Sequence, residues 1–163
     1  MPRVFVSIGS NIDREKNIKA AVHELNVSYA PLTLSRVYES PAIAFRGDDF
    51  YNLVASFDTN ASVHDLRARL TSIEDACGRE RRGNNQSRTL DIDLLLYGDL
   101  VRHDGEIDVP RPEISQHAFV LLPLTEIASK ARHPETGVTF RQMWANFDDP
   151  KQKLWPVELD FSL

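Results

Sequence analysis

Two aspartates one residue apart, Asp91 and Asp93, open an apolar run just after a loop rich in arginine, in the stretch Arg88-Thr89-Leu90-Asp91-Ile92-Asp93. On an extended chain, side chains alternate between faces, so Asp91 and Asp93 share one face while Leu90, Ile92 and Leu94 share the other. Paired carboxylates on one face are a shelf for a hard divalent cation, since Mg²⁺ takes one or two carboxylates and completes its shell with substrate phosphates. Upstream, Arg79, Arg81, Arg82 and Arg88 offer planar guanidinium forks that suit phosphate oxygens. A metal shelf beside an arginine clamp points to a nucleotide polyphosphate. The residues by themselves also admit a plainer reading, in which the aspartates line the wet face of a half-exposed strand and the arginines are solvated charge.

The elements that must position these residues follow from pattern. Val4 to Ile8 reads as a buried strand and Gly9-Ser10-Asn11 as a turn. Asp13 is placed to cap a helix whose apolar positions, Ile18, Ala21, Val22 and Leu25, recur at helical spacing. Leu32 to Glu39 alternates like a strand, Ser40-Pro41 breaks it, Phe45 to Asp49 forms a loop, and Tyr51 to Phe57 is a further strand. Ser62 with Asp65 makes a capping-box-like start for a helix carrying Leu66, Leu70, Ile73 and Cys77 on one face, with Gly78 as its stop. The polar run Gly83-Asn84-Asn85-Gln86-Ser87 lacks apolar anchors and is expected to be a mobile loop. Leu90 to Tyr97 is the carboxylate strand, and Leu100 to Val109 holds short edge strands. Ser115 is expected to cap a helix over 116–128, and Thr139 with Gln142 a short C-terminal helix around Met143 and Trp144. The expected class is α+β: a ferredoxin-like βαββαβ core whose mainly antiparallel sheet carries helices on one face, with a C-terminal helical extension. That topology hosts many functions and decides none of them.

Composition narrows the classes. The 163 residues fit one domain, 1–163, without repeats or linkers, and 42% hydrophobic with 26% charged residues is ordinary for a soluble globular chain. No window is apolar enough to cross a bilayer, and Met1-Pro2-Arg3-Val4-Phe5-Val6 runs into a strand without a signal-peptide core, so a cytoplasmic protein with no membrane partner is expected. A net charge of −5 with only local basic clusters argues against a nucleic-acid partner and for a small anionic ligand. The single Cys77 excludes an intramolecular disulfide and a cysteine-rich zinc site, and on its helix face it reads as packing.

Four separated segments resemble one family in order and spacing. They are Ile8-Gly9-Ser10-Asn11; Ser40-Pro41 through Phe50-Tyr51-Asn52; Ile73-Glu74 through Gly78-Arg79 to Arg88-Thr89-Leu90-Asp91-Ile92-Asp93; and Val109-Pro110 through Phe119-Val120-Leu121 to Pro123-Leu124-Thr125-Glu126-Ile127-Ala128. The family is 6-hydroxymethyl-7,8-dihydropterin pyrophosphokinase, which moves pyrophosphate from ATP to the pterin hydroxymethyl group and releases AMP in folate biosynthesis. The resemblance implies that Asp91 and Asp93 hold two Mg²⁺ ions, that Arg79, Arg81 and Arg88 are catalytic arginines closing over the phosphates, and that Glu74, Arg88, Arg111 and His117 bind ATP. It implies a pterin site of Ser40, Pro41, Ile43, Phe50, Asn52 and Phe119. Asn52 would read the heterocycle edge with its amide, and Phe50 and Phe119 would stack on its faces. A monomer or weak dimer is expected, though no residue pattern marks an oligomer interface.

The chain departs from the family pattern in three places. Arg111 stands where histidine is usual and His117 where arginine is usual, an exchange of a fixed cation for a titratable one. Gln86-Ser87 replaces a common Gly-Pro, and the loop from Arg79 to Arg88 lacks the usual tryptophan. No residue stands out as a general base. The exchange at 111 and 117 motivates one further reading, a paralogue acting on a modified pterin alcohol; a second, a non-catalytic pterin- or nucleotide-binding module that kept the fold, is opposed by the intact Asp91, Asp93, Arg79, Arg81 and Arg88. A ferredoxin-like RNA binder would need a basic, aromatic sheet face where this strand carries aspartates.

Overall fold

The computed structural model describes residues 1–41, 49–77 and 90–163. Its sheet runs β5-β1-β4-β3-β8, built from β1 (Arg3–Ser10), β3 (Val37–Ser40), β4 (Phe50–Asp58), β5 (Asp91–Tyr97) and β8 (Trp155–Val157), with β2 (Thr33–Leu34) pairing on β4. All pairings are antiparallel. The ferredoxin-like core expected from the element order is therefore present, as strands β5-β1-β4-β3 with α1 (Arg14–Tyr29) and α2 (Val63–Ala76) between them.

Period-two alternation divides β1 between two cores. Val4, Val6 and Ile8 point to α1 and α2, where they join Ile18, Leu25, Leu66 and Ile73. Phe5 points the other way, into a second cluster with Val54, Leu95, Leu96, Val120, Leu124 and Phe140. That second cluster is roofed by α4 (Ala118–Ala128) and α5 (Phe140–Ala145). The C-terminal extension thus covers the sheet face that the sequence left open, and helices lie on both faces rather than one. Four-residue α3 (Glu113–Gln116) precedes α4, and a separate ribbon pairs β6 (Arg102–His103) with β7 (Asp108–Val109).

Two of the expected caps form: Ser62 accepts from the Asp65 N–H at 3.1 Å and Thr139 from the Gln142 N–H at 3.2 Å. Other local expectations give way to tertiary partners. Asp13 sits at the start of α1 with φ 42° and makes no side-chain cap. Ser10 and Asn17 instead donate to the Ile12 carbonyl, at 3.0 and 2.7 Å. The strand expected over Leu32 to Glu39 is split, because Ser35 turns its hydroxyl to accept from the Val54 N–H at 2.9 Å and donates to the Arg36 carbonyl. Ser115 does not cap a helix over 116–128; it lies within α3 and donates back to the Pro112 carbonyl. The helix is broken at His117, whose backbone is extended at φ −123° and ψ 124°. Strand β8 was not foreseen, and it covers the β3 edge that an isolated core would leave unpaired.

Candidate active site

Sheet register assembles the site. Gly9 of β1 lies opposite Asn52 of β4 on one side and opposite Asp91 of β5 on the other, and Ser7 lies opposite Asp93. Tyr38 of β3 faces Asn52 across the next pair, and Ser40 faces Phe50. Directly opposed residues share a face, so Ser40, Phe50, Asn52, Gly9, Asp91 and Asp93 all lie on the α4 face. With strands about 4.8 Å apart, Asn52 and Asp91 are roughly 10 Å from one another across Gly9. The two halves of the site expected from sequence, one reading a heterocycle and one holding a metal, therefore stand side by side on a single row.

The half expected to read a heterocycle is held by its own hydrogen bond. Asn52 is buried, and its Nδ2 donates to the buried Ser40 Oγ at 3.2 Å. That bond fixes the amide plane and so the pattern of donor and acceptor shown to a ligand. A Cβ at Gly9 would come within 2.6 Å of Asn52 Oδ1, so only glycine lets the amide lie across β1. Phe50 begins β4 half-buried, Pro41 is exposed at the end of β3, and Phe119 sits half-buried in the first turn of α4. Phe119 stacks on His117, with ring centroids 4.9 Å apart and planes 14° from parallel. His117 Nδ1 is buried with no hydrogen-bond partner among the described residues.

In the carboxylate half, Asp93 is 42% exposed at its side chain and open to a ligand. Arg111 Nη2 approaches Asp93 Oδ1 at 3.6 Å and its Nε pairs with Glu113. Its own N–H donates to the Leu95 carbonyl at 3.0 Å, which docks the segment after β7 against β5. Partial burial works against the Arg111 charge, but Asp93, Glu113 and Asp108 outweigh it and hold its pKa above the ordinary arginine value. Arg111 is thus a fixed cation beside the carboxylates, while His117, at the break before α4, stacks on Phe119. Glu74 is buried on α2, and its Oε2 accepts the Ile92 N–H at 2.8 Å, pinning the backbone between the two aspartates. As a donor set, Asp91 and Asp93 suit Mg²⁺ only with further oxygens from a substrate, since no group of three or more metal-ligating side chains occurs among the described residues.

Ile43, the expected helix stop at Gly78, and Arg79, Arg81, Arg82 and Arg88 lie outside the described residues. Gly9, expected with Ser10 and Asn11 to form a turn, lies instead inside β1, which runs on to Ser10, and presents no side chain to the Asn52 amide. Two further contributors were given no role from the sequence. Glu126 anchors the far end of α4 by accepting the Arg36 N–H at 2.6 Å and the Tyr38 hydroxyl, whose pKa burial and that carboxylate push up to about 12. Arg14 joins both sides of the connection between β3 and β4, pairing with Glu39 at 2.6 Å and donating to the Asp49 carbonyl at 2.8 Å. Neither contact has a local pattern that would mark it.

Among the described residues no helix is long and apolar enough to cross a membrane. The sequence profile of 7,8-dihydro-6-hydroxymethylpterin-pyrophosphokinase (HPPK) matches residues 5–129. Folic acid synthesis protein FOL1 of Dictyostelium discoideum is 32% identical over 145 residues, covering 88% of this chain and 22% of that protein. The chain therefore spans about a fifth of that relative's length. The 2-amino-4-hydroxy-6-hydroxymethyldihydropteridine pyrophosphokinase of Pseudomonas aeruginosa is 36% identical over 141 residues, covering 82% of this chain and 85% of that protein. Among solved structures, Plasmodium falciparum HPPK-DHPS with pteroate aligns with a TM-score of 0.72 at 12% identity, over 90% of this chain and 44% of that one, a likeness of fold. The profile match across most of the chain, together with relatives matched over most of their own length, shows that the chain belongs to the HPPK family.

Proposed function

We propose that this chain transfers the pyrophosphoryl group of ATP to the hydroxymethyl group of 6-hydroxymethyl-7,8-dihydropterin, releasing AMP, as a cytoplasmic step of folate biosynthesis. The observation that carries the reading is the row Asn52–Gly9–Asp91, which sets an amide suited to a pterin edge beside carboxylates suited to a metal-bound polyphosphate. Asp91 and Asp93 would hold Mg²⁺, two ions in the full site, which would neutralise the triphosphate and favour departure of AMP.

The chain's own groups do the rest. Asn52, held by Ser40, reads the heterocycle, and Phe119 and Phe50 supply stacking surface. Pro41, exposed just past β3, borders that wall, and Ile43 is assigned to the pterin by the family resemblance alone. Arg111 adds a fixed positive charge on the phosphate side, and His117 adds a ring nitrogen next to the stacking wall. Glu74 serves the ATP side by fixing the backbone that presents the two aspartates. Arg79, Arg81 and Arg88 are assigned to cover the phosphates and exclude water during transfer. The active species is taken to be a monomer or weak dimer.

Incubating the purified chain with ATP, Mg²⁺ and the pterin alcohol should give AMP and pterin pyrophosphate one for one, with Asp91→Ala and Asp93→Ala abolishing turnover. ADP as product, or no nucleotide product, would sink the proposal. A substituted pterin alcohol turned over at higher kcat/KM than the parent would instead move the substrate within the same class, as the exchange at Arg111 and His117 allows.

A further inference from the structure

The C-terminal segment does more than close the sheet edge. Where the chain is extended at His117, the Gln116 carbonyl and the Ala118 N–H lose their helical partners and must be satisfied otherwise. A single side chain from 34 residues away serves both. Gln152 Oε1 accepts the Ala118 N–H at 2.8 Å, and Gln152 Nε2 donates to the Gln116 carbonyl at 2.8 Å. Nε2 also donates to Asp149 Oδ2 at 3.0 Å, while the Gln152 N–H donates to the Asp149 carbonyl, so a turn at Asp149 aims the amide. One planar group thus brackets His117 on both sides, and through the His117–Phe119 stack it sets the ring at the start of α4.

Three residues further on, the same segment grips the opposite wall. Trp155 pairs with Glu39 in the β3–β8 register, and its Nε1 donates to Glu39 Oε1 at 2.7 Å, one residue before Ser40. Three residues of extended chain reach at most about 11 Å, so Gln152 and Trp155 tie the two walls at a bounded separation. Glu126 holds the far end of α4, while Gln152 bonds the end bearing Phe119, where Val120 and Leu121 are packed in the second core cluster.

We infer that Gln152 is a positioning residue for the pterin site: it holds the α3–α4 break so that His117 and Phe119 keep their place against the Ser40–Asn52 wall, with Trp155 as the second anchor of the strap. This rests on the function proposed above. In the full chain, Gln152→Ala should raise the pterin KM, and the pterin Kd read by its fluorescence with a non-hydrolysable ATP analogue, about five- to tenfold, leaving kcat and the ATP KM within about twofold. Gln152→Glu keeps the acceptor for Ala118 but loses the donors to Gln116 and Asp149 and sets a second carboxylate beside Asp149, so it should raise the pterin constants at least as far as Gln152→Ala; Trp155→Phe serves should neither Gln152 variant fold. Trp155→Phe, which loses only the indole N–H, should act in the same direction as Gln152→Glu. Unchanged pterin constants alongside a lowered Tm would reduce Gln152 to an ordinary helix cap and overturn the inference. The His117 imidazole NMR signals supply an arm free of ligand, with one fixed environment expected in the parent and an averaged one in Gln152→Ala. If the parent neither binds nor turns over the pterin, the proposed function falls, and identical His117 signals in parent and variant would bring down the strap separately.

Discussion

Gly9→Ala tests the row on which the site is built. An added Cβ would stand 2.6 Å from Asn52 Oδ1, while the next nearest atoms, Asn52 Cγ and the Tyr51 carbonyl, lie at ordinary distances of 3.7 and 3.8 Å. The strain therefore falls on one oxygen, which must retreat by about 0.8 Å to regain van der Waals contact. That amide is buried and tied to Ser40 Oγ at 3.2 Å, so the retreat breaks or lengthens its hydrogen bond. Loss of a neutral hydrogen bond plus local overpacking costs about 1–3 kcal/mol, or roughly 3–10 °C in Tm for a chain of this size. The effect on recognition is larger, because misplacing a reading group by nearly 1 Å costs up to about a hundredfold. We expect kcat/KM for the pterin to fall about 30- to 100-fold, equivalent to about 2–2.7 kcal/mol, with the ATP KM within about threefold. The new methyl's three nearest atoms come from Asn52 and Tyr51 and none from β5, so the carboxylates should be undisturbed. The assay is AMP formation against pterin concentration, with a thermal melt beside it. Combining Gly9→Ala with Asn52→Ala should be no worse than Asn52→Ala alone, since the clash vanishes with the amide. A parental pterin kcat/KM in Gly9→Ala, or independent additive losses in the double variant, would refute the reasoning.

Glu74→Ala leaves the buried Ile92 N–H without its 2.8 Å acceptor and should lower Tm by about 3–10 °C, from a cost of about 1–3 kcal/mol, whereas Glu74→Gln keeps an acceptor and should lose less. Equal melting of the two variants would remove that role from Glu74. His103 bonds to Asp108 first and to Glu135 second, and both raise its pKa above the ordinary 6.5. A raised folded-state pKa stabilises fully below about 6.5 and is lost as pH rises through the raised value. The Tm gap between the parent and His103→Gln should accordingly be wider at pH 5.5 than at pH 8.5, and a gap constant with pH would contradict the pairing.

Several features were legible without the fold because their causes are local. Ser62 with Asp65 and Thr139 with Gln142 cap helices within three residues, and Asp91 and Asp93 share a face because strand side chains alternate. Apolar spacing likewise foretold that Ile18, Ala21, Val22 and Leu25 would be buried together. Expectations failed where a distant partner outbid a local one. Ser115 had the right type for a cap, yet Gln152 supplies the acceptor at Ala118, and the helix breaks at His117 instead. Asp13 had the right type too, but Ser10 and Asn17 seal the start of α1. Trp155 to Val157 carries no strand signal strong enough to read, because its pairing depends on a free β3 edge more than a hundred residues upstream.

By itself, then, the sequence determined the chemical inventory and the local geometry: two carboxylates on one strand face, an asparagine and aromatic rings in motifs shared with one family, and the order of elements. The tertiary structure alone decided which of these meet. Antiparallel register carried Asn52 and Asp91 to either side of Gly9, folding set Arg111 beside Asp93 and Glu74 beneath the strand, and the C-terminal segment bracketed His117. The physical reason is range: propensity, capping and alternation act over a few residues, whereas register and buried hydrogen bonds join groups tens of residues apart, whose encounter only packing fixes.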